Sequence, residues 1–281
     1  MMNKDQKKKR SRQFRKRARL RMPINVAASA ITTLALYCGV ASIFASIRGE
    51  YTVAAYFILA AIICDTMDGA VARMTKSVSD FGKELDSLSD VVSFGAAPAV
   101  LIYTAFLMEG QSMEGPGIGP MGSMIAVIYV IFGALRLARY NVFQADQTSY
   151  FVGLPIPGAA GTIASFTVFC EYFEISVAIW VFAPLTLTLS FLMVSAIRYP
   201  KKNLQVFTLT PRKGFRFLLG VVIAIGVVNY AMEYSPAIVL FPLAMAYVLF
   251  GVSNEIFAFI TRKRAVTEHE KEAKTELASQ P

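Results

Sequence analysis

Residues 65–90 read D-T-M-D-G-A-V-A-R-M-T-K-S-V-S-D-F-G-K-E-L-D-S-L-S-D, and this stretch sets the terms for the rest of the chain. Four carboxylates, Asp65, Asp68, Asp86 and Asp90, sit at the ends of two runs that are otherwise apolar and long enough to span a bilayer. The first pair is three apart and the second four apart, so on helices each pair shares a face. Gly82, Asp86 and Asp90 fall in one i, i+4, i+8 row. Two helices joined by a short polar turn therefore bring four acids toward one small volume.

That arrangement needs compensation. A carboxylate in a membrane helix costs about 2.5–3.5 kcal/mol on insertion scales, so four cost roughly 10–14 kcal/mol, comparable to the ~5–15 kcal/mol net stability of a whole protein. Hard oxygen ligands without His or Cys suit magnesium, manganese or calcium, and two divalent cations balance four negative charges. The competing reading is that the acids face water at the helix ends and pair with Arg73, Lys76 and Lys83. Four acids at this spacing with two glycines favour the metal.

Composition agrees with a membrane setting. The chain has 281 residues, 55% of them hydrophobic and only 17% charged, and its mean hydropathy is +0.51. The expected class is an all-α integral membrane protein, a polytopic helix bundle. Cys38, Cys64 and Cys170 lie within apolar runs and read as packing residues. The lone His269 lies in a polar tail, which argues against a His-ligated metal or a His-based catalytic pair.

The formal net charge of +9 is explained by location. A basic segment, residues 1–22, precedes the first apolar run. It reads as a topology anchor that attracts anionic headgroups, and no nucleic-acid partner is expected. Apolar runs fall at about 25–47, 51–73, 84–108, 121–143, 157–172, 175–197, 215–232 and 235–260. Basic residues gather in alternate connections: Arg73, Lys76 and Lys83; Arg136 and Arg139; Lys201, Lys202, Arg212, Lys213 and Arg216; and the residues after Thr261. The other connections carry Glu109, Glu114, Glu171, Glu174 and Glu233, with Arg48 the exception. The positive-inside rule then gives about eight transmembrane helices, with both termini and the acidic cluster facing the cytosol. Residues 23–261 form a single membrane domain, and 262–281 read as a polar, disordered tail.

A second stretch, A-L-R-L-A-R-Y-N-V-F (134–143) followed by F-V-G-L-P-I-P-G-A-A-G (151–161), lies beside the first in the same topology. Arg136 and Arg139 share a helical face, and at the depth of four acids a substrate role is favoured, because arginine grips carboxylate or phosphate bidentately. Pro155 and Pro157 break helical continuity, while Gly153 and Gly158 let backbone approach a ligand. The plain alternative is a loop with a proline start to the next helix.

The pattern Asp65-x2-Asp68-Gly69-x2-Ala72-Arg73-x8-Gly82-x3-Asp86-x3-Asp90 resembles, without a mismatch, the signature of the CDP-alcohol phosphotransferases. It specifies eight residues over twenty-six positions. The stretches A-R-Y-N-V-F and G-L-P-I-P-G-A-A look like the phosphatidylserine synthase branch of that family. In the first helix, where many members carry Pro-Asn-x-x-Thr, this chain aligns Ser29 and Thr32. No motif marks the last third.

The resemblance implies a six-helix core with a polar cavity open to the cytosol, and transfer of a phosphatidyl group from CDP-diacylglycerol to L-serine with release of CMP. It implies a site in the cytoplasmic (inner) membrane, two divalent cations (Mg2+ or Mn2+) and a homodimer. Asp65, Asp68 and Asp86 are implied as the main metal ligands, with Asp90 beside them as the base for the serine hydroxyl. Asp65, Gly69, Ala72, Arg73 and Gly82 are implied to contact CDP-diacylglycerol, and Arg136 and Arg139 the serine carboxylate. Two other functions compete. One is another acceptor, glycerol 3-phosphate or inositol phosphate, which would favour a denser basic cluster. The other is a cation transporter, whose acids would lie near the bilayer midplane and often in paired repeats.

Overall fold

The computed structural model describes residues 26–74, 80–108, 119–143, 150–175, 179–200 and 239–254. Helix α1 spans Val26–Ile47 and α2 spans Tyr51–Met74. At about 1.5 Å per residue each is longer than a bilayer core. They form an antiparallel hairpin whose seam is made of small residues, Ala45, Ala54, Ala55 and Ala61, all fully buried. Ser42 donates across the seam to the Ala54 carbonyl at 2.9 Å. Lipid supplies no hydrophobic drive between helices, so close approach and such bonds must hold the pair.

The hairpin turns at Gly49, whose φ of 78° lies in the left-handed region. Arg48, the exception to the charge pattern, is neutralised there. Its Nε and Nη2 donate to Glu50 at 3.1 and 2.9 Å.

The third span is a continuous rod with two widened turns. Helix α3, Asp80–Asp90, runs into a π-helical turn at Val91–Ala96. Helix α4, Ala97–Ile102, follows, then a second π-helical turn at Tyr103–Leu107. Pro98 has no N–H to return to the Phe94 carbonyl four residues back, and the buried Tyr129 hydroxyl donates to that carbonyl at 3.2 Å. The Tyr51 hydroxyl does the same for Thr104 at 3.0 Å. The first widened turn begins directly after Asp90, so it changes which face the rod presents beyond the acids.

Helix α5 spans Gly119–Phe143. A two-stranded ribbon pairs β1, Tyr150–Val152, antiparallel with β2, Arg198–Pro200. Between them run α6 (Ile156–Tyr172), which packs chiefly on α2, and α7 (Ile179–Val194), which packs chiefly on α5. Pro155 caps α6, so the proline-rich stretch is a helix start. Helix α6 is the most enclosed: Ile156, Ala159, Ala160, Ile163 and Ala164 are fully buried. Helix α8 covers Val239–Asn254.

Among the described residues, four helical segments are long and apolar enough to cross a membrane: Ala28–Ile47, Tyr51–Val71, Phe81–Leu107 and Met121–Phe143. Helices α6, α7 and α8 are shorter apolar helices packed with them. The expected polytopic all-α membrane bundle stands, with the three-residue strands as a local clasp. The basic segment 1–22, the apolar run 215–232 and the tail 262–281 lie outside the described residues.

Candidate functional site

The last turns of α2 meet the first turns of α3 at one end of the bundle. Asp65, Asp68 and Asp86 each offer a carboxylate oxygen, and these oxygens lie within 4.8 Å of one another. Asp90 faces Asp65 at hydrogen-bonding distance. All four are at least partly buried, and Asp68 is only 5% exposed. Asp65 and Asp68 of α2 and Asp86 of α3 are thus brought together. Gly69 follows Asp68 directly, and Gly82 lies in the first turn of α3, one turn before Asp86. Ala72 and Arg73 continue α2 beyond the acids.

Helix α1 supplies a partner for the buried acid. The Thr32 hydroxyl lies 2.6 Å from Asp68 Oδ2 and 3.0 Å from the Ala28 carbonyl. Thr32 is the residue aligned with the threonine of the family's first-helix pattern, and it contacts a carboxylate. Two further bonds tie α1 to the rod: Ser89 donates to the Thr32 carbonyl at 3.3 Å and Ser93 to the Ala35 carbonyl at 3.0 Å. Gly39 permits this approach, since a Cβ there would stand 2.7 Å from Ser93 Cα. Exchanging Gly39 for any larger residue would push α1 off the wall of the site.

The two arginines of α5 separate. Arg136, 5% exposed, lies within electrostatic reach of Asp90 and Asp65, with its guanidinium 5.2 Å from the centre of the Tyr140 ring. Its Nε is buried without a protein partner. Arg139 turns elsewhere. Its Nη1 donates to the Val194 carbonyl at 2.7 Å, and its Nη2 reaches the carbonyls of Val152, Met193 and Ser195 at 3.0, 3.3 and 3.2 Å. Arg139 thus closes the end of α7 and ties it to β1, satisfying carbonyls that the helix end leaves unpaired. Gly153 belongs to the same latch. Its φ is 83°, and a Cβ would strike the Met193 carbonyl and stand 2.8 Å from Arg139 Nη2. The close approach expected at Gly153 is therefore to the chain's own backbone.

Carboxylate oxygens suit hard divalent cations, and three converging oxygen donors without His or Cys are such a donor set. Among the described residues, none of the four acids forms an ion pair; the pair found is Arg48 with Glu50. The residues fit a divalent metal, as the spacing of the acids predicted.

Comparison with known proteins bears on the same residues. The CDP-alcohol phosphatidyltransferase family profile matches residues 25–194, more than half of the chain and every acid of the cluster. The chain belongs to this family. A relative from Helicobacter pylori named CDP-diacylglycerol–serine O-phosphatidyltransferase is 35% identical over 199 residues, covering 67% of this chain and 81% of its own. One of the same name from Bacillus subtilis is 37% identical over 165 residues, covering 58% and 83%. An archaetidylserine synthase from Methanothermobacter thermautotrophicus is 40% identical over 165 residues, covering 58% and 64%. Within the family's matched region lie α1 to α7; α8 lies beyond it.

Sequence reasoning passed over Tyr247 of α8, whose phenol is within electrostatic reach of Arg136. A lone tyrosine in an apolar run carries no pattern. Asn141 was passed over as well: its Nδ2 donates to Ser87 Oγ at 2.9 Å and ties the end of α5 to α3. The A-R-Y-N stretch was its only signal.

Proposed function

We propose that this protein transfers the phosphatidyl group of CDP-diacylglycerol to the hydroxyl of L-serine, releasing CMP, at the cytosolic face of the inner membrane. The observation that carries the reading is the convergence of three carboxylates beside a buried arginine with an unpartnered Nε. The names of its relatives support serine as acceptor.

Asp65, Asp68 and Asp86 would hold divalent cations, Mg2+ or Mn2+, with Asp90 adjoining. Cations held there would supply positive charge against the diphosphate and the departing oxygen, and Lewis acidity at the attacked phosphorus. Thr32 holds the Asp68 carboxylate in one orientation, as outer partners of metal ligands do. Asp90 takes the proton from the serine hydroxyl. The serine oxygen then bonds to the lipid-side phosphorus, the P–O bond to the nucleotide breaks, and CMP leaves with the bridging oxygen. Gly69 and Ala72 leave room for the cytidine edge, Gly82 lets α3 come close, and Arg73 binds the nucleotide or its phosphate.

Arg136 grips the serine carboxylate. A buried N–H without a partner costs about 1–3 kcal/mol, which a bound carboxylate would recover. Arg139 supports the same pocket as an anchor of α7 and β1, and a homodimer is part of the same reading.

Purified protein supplied with CDP-diacylglycerol and labelled alcohols tests the reading. Serine-dependent release of CMP is expected. Release that answers to glycerol 3-phosphate or inositol phosphate instead would replace the acceptor, and no release with any alcohol would refute phosphatidyl transfer.

A further inference from the structure

Where α5 meets α3 at the acid end, Asn141 carries a polar atom that nothing so far has used. It lies in the last turn of α5, five residues beyond Arg136, or about 7.5 Å along the axis at 1.5 Å per residue. Its Nδ2 donates to Ser87 Oγ at 2.9 Å. Ser87 follows Asp86 directly and stands three residues before Asp90, so that bond fixes Asn141 beside the acid-bearing turns of α3. Arg136 is buried, whereas Asn141, nearer the end of the helix, is exposed.

The direction of the bond decides which end of the amide is left over. The Ser87 hydroxyl has one hydrogen and donates it to the Lys83 carbonyl at 2.9 Å, so toward Asn141 it can only accept. Nδ2 is therefore the atom turned to Ser87, and Oδ1 faces away from it. Among the described residues no donor meets Oδ1. The outcome is an uncharged acceptor, held in one orientation and open to a ligand. A group already held loses little freedom when it binds.

The proposed acceptor needs such an atom. L-serine brings three polar groups: a hydroxyl for Asp90, a carboxylate for Arg136, and an ammonium for which neither supplies a partner. An ammonium has three donors and is costly to take out of water without acceptors. In the same reading the clustered carboxylates are committed to cations, and carbonyls inside a helix are committed to the helix. The Asn141 amide oxygen is committed to neither.

We infer that Asn141 is a specificity-determining residue: its Oδ1 accepts a hydrogen bond from the ammonium of the acceptor, so that the site selects alcohols bearing an amino group. Ser87 is the positioning residue that turns the amide. The inference rests on the transfer to L-serine proposed above, with Arg136 at the carboxylate.

Steady-state CMP release by the full-length protein in lipid nanodiscs tests it, with L-serine as acceptor. The competitor is 3-hydroxypropanoate, which is serine without its ammonium. Asn141→Leu is expected to raise the serine KM about tenfold, the lower end for a hydrogen bond to a charged group. The inhibition constant of 3-hydroxypropanoate and the KM for CDP-diacylglycerol should stay within about twofold. Asn141→Asp keeps an oxygen in place and adds charge, so its serine KM should equal or fall below that of the unaltered protein. Ser87→Ala releases the amide without removing its oxygen and should raise the serine KM no more than about threefold.

A serine KM unchanged in Asn141→Leu overturns the inference, and so does a rise matched by the inhibition constant of 3-hydroxypropanoate, which would mean a misshapen pocket. A loss in Ser87→Ala as large as that in Asn141→Leu would make the bond between helices the whole role. A rise confined to CDP-diacylglycerol would give the amide to the donor instead. If the leucine variant fails to assemble, Asn141→Asp decides: a tenfold rise in its serine KM overturns the inference. Arg136→Lys separates the two readings, since a raised serine KM there leaves the site reading standing even where Asn141 proves indifferent. If the unaltered protein does not turn over serine, both readings fall.

Discussion

At one end of the bundle Asp65, Asp68, Asp86, Asp90 and Arg136 share a small volume; at the other, Phe106, Phe166, Phe169, Phe182 and Phe241 stack on one another. The aromatic end joins four elements chiefly by ring contact. Phe106 of the third span and Phe182 of α7 lie 3.5 Å apart and 15° from parallel, and Phe182 in turn meets Phe166 of α6 at 4.7 Å. The acid end is joined by hydrogen bonds between residues far apart in the chain: Thr32 to Asp68, Ser89 to Thr32, Asn141 to Ser87, and Arg139 to the end of α7. Like charges at close range resist collapse, so the acid end must be propped by donors. Rings attract without leaving a cavity, so the other end closes on itself. Stability and chemistry are therefore expected to answer to different residues.

The largest separation should come from chelation. Stripping divalent ions is expected to abolish activity and to lower the melting temperature by releasing repulsion among the acids, while a Phe182→Ala protein still responds in full to added metal. Activity indifferent to chelator would leave the acid end without its proposed occupant. Next in size, Asp90→Asn should lower kcat by about 10²–10⁴-fold while CDP-diacylglycerol still binds, read by ligand-dependent thermal shift. Normal turnover would remove Asp90 as the base.

Thr32→Val should weaken metal dependence about 10–100-fold, visible as a rise in the concentration of Mg2+ or Mn2+ needed for half-maximal activity, with Thr32→Ser restoring it. An unchanged requirement would make the hydroxyl a helix-packing group. At the aromatic end, Phe182→Ala removes two ring pairs worth about 0.5–1.5 kcal/mol each. With the cavity left by this fully buried ring, a stability loss of about 3–5 kcal/mol is expected, with both KM values unaltered; a change in serine KM would show that the two ends are coupled.

The smallest effect belongs to the α1–α2 turn. The Arg48 guanidinium, hydrogen-bonded to Glu50, holds that carboxyl below its ordinary 4.5. A depressed folded-state value means that Glu50 contributes stability above its ordinary value, and that the contribution is lost as pH falls through the folded one. Both groups are fully exposed, so Glu50→Gln should only slightly flatten the acid limb of a melting-temperature profile, read from about pH 3 to 7.

Much of the bundle was legible beforehand. The runs predicted at 25–47, 51–73 and 121–143 are α1, α2 and α5 to within two residues at either end. Hydropathy over a long window is insensitive to what a helix packs against. The run predicted at 84–108 begins earlier, at Asp80, because its first turns carry the polar signature residues that a hydropathy window excludes. Its two widened turns were not legible. Tyrosines of other helices reach the Phe94 and Thr104 carbonyls within them, which no local pattern records.

What the residue order determined by itself is whatever repeats locally: membrane-length helices, acids three and four apart on facing turns, and a signature specific enough to name a family. Helical spacing carries that information because neighbours at i+3 and i+4 are set by the backbone alone. Only the tertiary structure decided that Arg136 turns to the acids while Arg139, on the same helical face by spacing, takes four backbone carbonyls. It alone brought Thr32 to Asp68 across thirty-six residues, and Phe241 to Phe166 across seventy-five. Such meetings depend on how whole helices lean and slide against one another, and that is a balance of many weak contacts spread over the bundle.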